Sequence, residues 1–213
     1  VCHRTLVEGE KYLCLGCMLD MPLTNFHKSS SNSLTDRLFT RSLPIQKATS
    51  MFYYRRGNSY TSLIHDTKYR GRPKVGSHLA ALHAEDLSSA GFFNGIDLLV
   101  PVPLHFLKKL KRGYNQAEEI ANGLSSVCGL PVINALKASY HRSQTRKDAH
   151  SRLQNTLGVY SVEEPQLIEN RHILLVDDVI TTGSTILACA QAIRDASPTT
   201  EISVYSLAAT HLE

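Results

Sequence analysis

The stretch RHILLVDDVITTGSTI, Arg171 to Ile186, decides the fold of this chain. It begins with an apolar run, continues through the acid pair Asp177 and Asp178, and leads through a Thr/Gly/Ser segment into a helical pattern. A short, continuous apolar run bounded by turn residues is typical of a buried strand in a parallel sheet. The sequence therefore predicts an α/β fold in which this strand runs through a loop into a helix.

The segment after the acid pair has the composition of an anion site. It consists of Thr181, Thr182, Gly183, Ser184 and Thr185. At a helix N-terminus, unpaired backbone N–H groups and the positive end of the helix dipole both attract phosphate. The acid pair would repel a phosphate, so we expect it to face ribose hydroxyls, hydrated Mg²⁺ or both. The alternative interpretation is an N-capped helix with two solvated carboxylates.

The whole stretch resembles the signature with which type I phosphoribosyltransferases bind 5-phosphoribosyl pyrophosphate (PRPP). In that signature an apolar strand, an acid pair and a Thr/Gly/Ser loop follow one another. The resemblance implies that Asp177 and Asp178 are the catalytic acids and bind the ribose 2- and 3-hydroxyls. It also implies that residues 181–185 wrap the 5-phosphate.

Length and composition set outer bounds. The 213 residues fit one domain with room for a small appendage, and the formal net charge is only +4. No apolar run approaches the roughly 18 residues of a membrane helix, and the N-terminus has no secretory pattern. The five cysteines are an odd number, which argues against a disulfide framework. We therefore expect a cytoplasmic protein without a membrane span.

Three cysteines near the start form a candidate metal site. Cys14 and Cys17 have the Cys-x-x-Cys spacing of half a zinc knuckle, and Cys2 is a third candidate ligand. A fourth cysteine would lie upstream of this sequence, and His3 and His27 are candidate substitutes within it. We expect structural Zn²⁺ here, with free thiols on a disordered tail as the alternative.

The Ser/Asn-rich residues 27–36, HKSSSNSLTD, are predicted to be a linker. The sequence therefore predicts a small zinc-ribbon-like module with its linker in residues 1–36 and the main domain in residues 37–213.

A second informative strand is predicted over residues 97–104, DLLVPVPL, with its pairing ending at Pro101 and Pro103. A basic segment follows, and Asn115 is expected to cap a helix over residues 116–127. The cations that could neutralise a pyrophosphate are His105, Lys108, Lys109, Lys111 and Arg112. Residues 139–151 are expected to form a flexible loop that brings Arg146 to the same group. The alternatives are that the basic segment is solvated surface and that residues 139–151 form an ordinary disordered loop.

The remaining elements follow from periodicity. Strands are predicted over residues 48–56, 130–135, 158–162 and 201–209, and helices over residues 59–69, 75–88 and 184–196.

Motifs along nearly the whole chain resemble the ComF family of competence-associated proteins. They are the cysteine start, HDTKYRG at residues 65–71, PVPLH at 101–105, RGYNQ at 112–116 and the central stretch. The resemblance implies a type I phosphoribosyltransferase fold, a mostly parallel sheet flanked by helices, with an N-terminal zinc module. It further implies PRPP and Mg²⁺ as ligands and a link to DNA uptake.

Two functions remain open at this point. One is Mg²⁺-dependent transfer of a phosphoribosyl group from PRPP to an acceptor that these residues do not specify. The other is a non-catalytic protein that senses PRPP or binds single-stranded DNA and acts with a DNA-uptake helicase. The bases of the DNA would stack on aromatic residues that lie among the basic clusters, namely Tyr53, Tyr54, Tyr60, Tyr69 and Tyr114.

Overall fold

A computed structural model describes residues 1–29, 31–39, 43–55, 57–69, 73–104, 110, 112–138 and 159–211. Within these ranges the strands are β1 (Ile45–Tyr54), β2 (Leu98–Pro101), β3 (Leu136–Ala138), β4 (Tyr160–Val162), β5 (His172–Ile180) and β6 (Glu201–Thr210). The α-helices are α1 (Leu15–Leu19), α2 (Ser33–Leu38), α3 (Thr61–Tyr69), α4 (Pro73–Ser89), α5 (Gln116–Cys128) and α6 (Ser184–Ala196). Short 3₁₀ helices cover Phe26–Lys28 and Pro165–Leu167.

The main sheet has the order β1-β6-β5-β2, and all its neighbouring strands pair in parallel. The two short strands β3 and β4 pair antiparallel in a separate sheet. The α/β fold class with a parallel sheet flanked by helices is therefore confirmed. None of the helices in the described part of the chain combines the length and apolar character needed to cross a membrane.

The buried strand β5 separates two hydrophobic cores. Leu174 and Val176 belong to the core that also contains residues of α4 and α5, whereas Ile173 and Leu175 belong to the core beneath α6 and α2. Successive side chains of a strand point to opposite faces, so an apolar run is required when both faces are covered. All four side chains are fully buried. Each stabilises the fold by roughly 1.5–3 kcal/mol through removal of apolar surface from water.

The predicted linker over residues 27–36 is wrong, because part of it folds as α2. The Asn32 side-chain oxygen accepts hydrogen bonds from the backbone N–H groups of Leu34 and Thr35, which caps the helix. Leu34 and Leu38 then lie fully buried in the core beneath α6. Tertiary packing stabilises such a short helix, and its polar composition gives no local sign of that packing.

The N-terminal residues pack on the main domain. Leu13, Cys14, Cys17 and Met21 share one core with Phe52 of β1. The division at residue 36 stays a prediction.

The strand predicted over residues 130–135 is wrong in extent. Only Val132 forms an isolated parallel bridge there, with Leu99 of β2. The Leu99 N–H donates to the Pro131 carbonyl, and the Ile133 N–H donates to the Leu99 carbonyl. Regular pairing begins later, at β3. The predicted flexible loop over residues 139–151 lies outside the described residues.

Candidate functional site

A cleft of about 710 Å³ lies at the carboxyl ends of the four parallel strands. Its walls include Tyr54 at the end of β1, Thr210 at the end of β6, Asp177 and Asp178 near the end of β5, and Leu104 after β2. Ligands of open α/β sheets bind outside the carboxyl ends of the strands. The topology therefore places this cleft where a ligand site is expected.

The acid pair lies within β5 and is half-buried on the cleft wall. The Asp178 N–H donates to Asp177 Oδ1 at 2.8 Å, which orients the first carboxylate. Tyr160 of β4 lines the same cleft. Burial raises the pKa of its phenol, and the nearby Cys189 and Asp177 raise it further. Tyr160 therefore stays protonated and able to donate a hydrogen bond beside the acids.

The Thr/Gly/Ser segment surrounds a small cavity of about 30 Å³ between β5 and the first turn of α6. Gly183 is the N-cap residue, with a left-handed φ of 82°. Thr182 Oγ1 lies 2.8 Å from Ser184 Oγ and accepts from the Ser184 N–H at 3.4 Å. The first turn of a helix presents N–H groups without intrahelical partners. The segment thus has the shape and the donors of an anion cradle.

On another wall of the cleft, the RGYNQ segment leads into α5. Asn115 is the N-cap of α5, as predicted: its Oδ1 accepts from the Ala117 N–H at 3.2 Å. Its Nδ2 donates to the Val102 carbonyl at 3.0 Å, which fixes the helix start against the chain leaving β2. Arg112 lines the cleft from this side.

A hydrogen-bond network ties this segment to α3, and the sequence analysis did not predict it. Arg112 Nη1 donates to Gln116 Oε1 at 2.9 Å, and Gln116 Nε2 donates to the Thr67 carbonyl at 3.3 Å. The Tyr114 hydroxyl donates to the same carbonyl at 2.6 Å. The partners are 47 and 49 residues apart in the chain, so no local signal reveals them.

The sequence analysis also did not predict the contacts of Arg37 in α2. Its guanidinium donates to the Thr181 carbonyl at 2.5 Å and to the Thr210 carbonyl at 2.8 Å. It therefore joins α2 to the start of the anion cradle.

The three N-terminal cysteines converge, and their sulfur atoms all lie within 4.8 Å of one another. Cys2 Sγ and Cys14 Sγ are 3.6 Å apart. Tetrahedral zinc with S–Zn bonds of about 2.3 Å needs sulfur atoms about 3.8 Å apart, so the cluster fits such a metal. The Arg4 guanidinium lowers the pKa of the Cys14 thiol to about 6, whereas burial raises that of Cys17 to about 11.

Neither candidate histidine joins this cluster among the described residues. The His27 ring instead packs edge-on against His83, with centroids 5.3 Å apart.

The other predicted residues have different outcomes. His105, Lys108, Lys109, Lys111 and Arg146 lie outside the described residues. Tyr60 lies in the core and donates to the Cys17 carbonyl at 2.8 Å, so its ring is not presented to a nucleic acid. Tyr53 is half-buried between Phe26 and His211, with ring centroids 5.7 Å and 5.0 Å away.

Comparisons with known proteins match most of the chain. The model of the phosphoribosyl transferase domain matches residues 79–211. DNA utilization protein YhgH of Escherichia coli K12 is 29% identical over 196 residues, 90% of this chain and 81% of that protein. Competence protein F of Haemophilus influenzae is 35% identical over 119 residues, 53% of this chain and 50% of that protein. Competence protein ComFC of Bacillus subtilis is 27% identical over 110 residues, 52% of this chain and 43% of that protein.

Proposed function

Because the chain belongs to the phosphoribosyltransferase family as a ComF-type member, we propose that it binds PRPP with Mg²⁺ and transfers the phosphoribosyl group to an acceptor. One observation carries this proposal. The acid pair and Arg112 line the cleft at the carboxyl ends of the strands, and so do Thr181 and Thr185 of the anion cradle. A ligand with a phosphate at one end, a ribose in the middle and a pyrophosphate at the other end matches that order of groups.

The roles of the residues follow from their chemistry. The amides and hydroxyls of residues 181–185 would hold the 5-phosphate, since these groups donate hydrogen bonds at a helix N-terminus. Asp177 and Asp178 would accept hydrogen bonds from the ribose 2- and 3-hydroxyls. Arg112 would face the pyrophosphate, and the same role is proposed for His105, Lys108, Lys109, Lys111 and Arg146.

Catalysis in this proposal rests on positioning and charge. The acids hold the ribose while positive charge grows on its C1 atom, and the cations stabilise the departing pyrophosphate. Asp177 and Asp178 would be the residues that hold Mg²⁺, since carboxylates are ligands that it prefers, and the ion would supply positive charge to offset that of the departing pyrophosphate.

We also propose that Cys2, Cys14 and Cys17 hold structural Zn²⁺. Their sulfur atoms are close enough to share one ion. The ion would crosslink the N-terminal segment next to the core that contains Cys14 and Cys17. Thiolate ligands must stay reduced, so we place the protein in the cytoplasm.

A link to DNA uptake is part of the proposal, because relatives carry the names competence protein and DNA utilization protein. One observation favours the second candidate function in its DNA-binding form, a protein that binds single-stranded DNA and acts with an uptake helicase. The rings of Phe26, Tyr53 and His211 form a row at the same end of β1 as the cleft. Half-exposed rings of this kind can stack on bases. Oligonucleotide binding that weakens with salt and with Tyr53→Ala would support it, and absence of binding at low salt would reject it.

Calorimetry with PRPP and Mg²⁺ tests the main proposal. Wild-type protein should bind, and Asp177→Asn and Asp178→Asn should each weaken binding at least tenfold, as expected for loss of charge-assisted hydrogen bonds. Asp195→Asn is the matched control, because this exposed carboxylate of α6 lies outside the cleft. Pyrophosphate release with a panel of nucleobases then tests transfer. Absence of PRPP binding, or unchanged binding in both acid variants, would reject the proposal.

A further inference from the structure

The anion cradle has no cationic side chain of its own. Residues 181–185 are Thr-Thr-Gly-Ser-Thr, and the two residues Asp177 and Asp178 shortly before them are acids. A phosphate monoester carries nearly two negative charges at pH 7. Helix-terminal amides compensate part of that charge. A nearby cation would compensate more of it and offset the field of the acid pair.

Arg37 supplies a cation directly behind the cradle. Its Nη1 donates to the Thr181 carbonyl at 2.5 Å, and its Nη2 donates to the Thr210 carbonyl at 2.8 Å. Nη1 also lies 3.3 Å from Thr210 Oγ1. One guanidinium therefore joins the start of the cradle to the end of β6.

The peptide group that Arg37 contacts is itself part of the cradle. The Thr181 carbonyl and the Thr182 N–H belong to one peptide unit. That carbonyl accepts hydrogen bonds from Arg37 and, at 3.2 Å, from the Thr210 hydroxyl. Donors at the carbonyl polarise the peptide and make its N–H a stronger donor. The charge on Arg37 would thus act through this peptide unit on a phosphate that accepts from the Thr182 N–H.

The position of Arg37 is held by the packing of α2. Leu34 and Leu38, on the same short helix, are fully buried in the core that also contains Ile186 of α6. The helix is capped by Asn32, whose Nδ2 also donates to the Ala48 carbonyl of β1 at 3.0 Å. The arginine therefore approaches the cradle from a fixed element.

We infer that Arg37 is a positioning residue for the 5-phosphate of the bound substrate. It fixes the conformation of the cradle and strengthens the donors that face the phosphate, without touching the ligand. This inference rests on the proposed function, because it assigns Arg37 to the 5-phosphate end of that same site.

Calorimetric binding of three probes to the full chain tests the inference. The probes are PRPP with Mg²⁺, ribose 5-phosphate, and inorganic pyrophosphate with Mg²⁺. Arg37→Met should raise the Kd of PRPP and ribose 5-phosphate about tenfold, as for loss of a hydrogen bond from a charged group. The Kd of pyrophosphate should change less than about twofold, since its end of the site does not involve the cradle. Arg37→Lys should restore part of the loss, because it keeps the charge.

Arg194→Met is the matched control. Arg194 of α6 also donates from Nη1 to a backbone carbonyl, in this case the Pro198 carbonyl at 2.5 Å. It lies at the end of α6 that is far from the cradle. Its replacement should leave all three Kd values unchanged. If Arg37→Met fails to fold, Arg37→Gln tests the inference instead. It keeps a neutral donor, and it should weaken the binding of PRPP and ribose 5-phosphate but not that of pyrophosphate.

The outcomes separate the two proposals. Wild-type binding of PRPP together with unchanged binding in the Arg37 variants would overturn this inference alone. Equal weakening of ribose 5-phosphate and pyrophosphate would also overturn it, because a general structural defect would then explain the loss. Absence of PRPP binding to the wild type would overturn the proposed function and this inference with it.

Discussion

Gly183 of the anion cradle lies directly against Leu38 of α2. A Cβ atom added to Gly183 would be 2.6 Å from Leu38 Cδ2, well inside van der Waals contact. The Gly183 backbone also has a φ of 82°, a left-handed conformation that costs other residues free energy. Space and conformation therefore both require glycine here. Since Leu38 is fully buried, α2 is a structural support of the cradle.

The first prediction concerns this contact. Gly183→Ala should lower the free energy of unfolding by about 2–4 kcal/mol, because backbone strain and overpacking add. Gly129→Ala is the matched control: Gly129 has a φ of 73° at the C-cap of α5, and nothing lies within 4 Å of its added Cβ. It should cost only about 1–2 kcal/mol. Urea unfolding monitored by circular dichroism measures both.

A double-variant cycle isolates the steric part. Leu38→Ala opens space beside residue 183, so the combined Gly183→Ala and Leu38→Ala protein should lose less than the sum of the two single losses. Additive losses, or equal losses for the two glycine variants, would show that the Leu38 contact does not restrict residue 183.

Local sequence signals predicted the edge of the fold that forms the candidate site. The apolar run before Asp177, the prolines at the end of β2 and just beyond it, and the cap at Asn115 each act within a few residues, so their elements could be placed from the sequence alone. They also predicted that the acid pair and the cradle lie at one edge of the sheet, because parallel strands end on the same side of a sheet.

The supports of that edge could not be predicted in this way. Arg37 lies 144 residues from Thr181, and Tyr114 lies 47 residues from Thr67. These contacts depend on how helices pack, and the polar sequence around α2 even predicted a linker. Only tertiary structure brings Leu34 and Leu38 into the core and Arg37 to the cradle.

The second prediction concerns the network around Thr67. Tyr114→Phe removes the 2.6 Å hydrogen bond to the Thr67 carbonyl and should lower the free energy of unfolding by about 0.5–1.5 kcal/mol. Gln116→Ala removes the second donor to the same carbonyl, which is buried with Thr67. The double variant should lose more than the sum, since that carbonyl then loses both of these donors. Tyr53→Phe, at a ring-packed tyrosine, is the control in the same urea assay.

The third prediction concerns the cysteine cluster. Purified protein should contain zinc measurable by mass spectrometry, and Cys17→Ser should lose it, because that sulfur lies within 4.8 Å of the other two. Chelation should lower the melting temperature by at least about 4 °C, since Cys14 and Cys17 lie in the core with Phe52. Cys128→Ser, at a thiol outside the cluster, should keep the metal. A chelated protein that melts at the wild-type temperature would contradict this.

The fourth prediction concerns pH and His83 of α4. Its pKa is lowered to about 3, mainly by burial and secondarily by His27, whose ring faces it. Its Nδ1 lies 3.3 Å from the Tyr205 hydroxyl, and burial keeps that phenol protonated. The pKa of His27 is itself lowered, mainly by burial and then by Lys28, whereas Asp86 raises it. The folded protein therefore keeps His83 neutral in acid.

The sign of the effect follows from proton binding. Between pH 6.5 and about 3 the unfolded chain binds a proton at residue 83 that the folded protein does not. The free energy of unfolding should consequently fall with falling pH by up to about 1.4 kcal/mol per unit from this group alone. His83→Gln removes the titration and keeps a hydrogen-bonding side chain. The difference between wild type and variant should be constant above pH 7 and should shrink below pH 6, as measured by urea unfolding across that range. A difference that stays constant down to pH 4 would show that His83 is protonated as easily in the folded protein as in the unfolded chain.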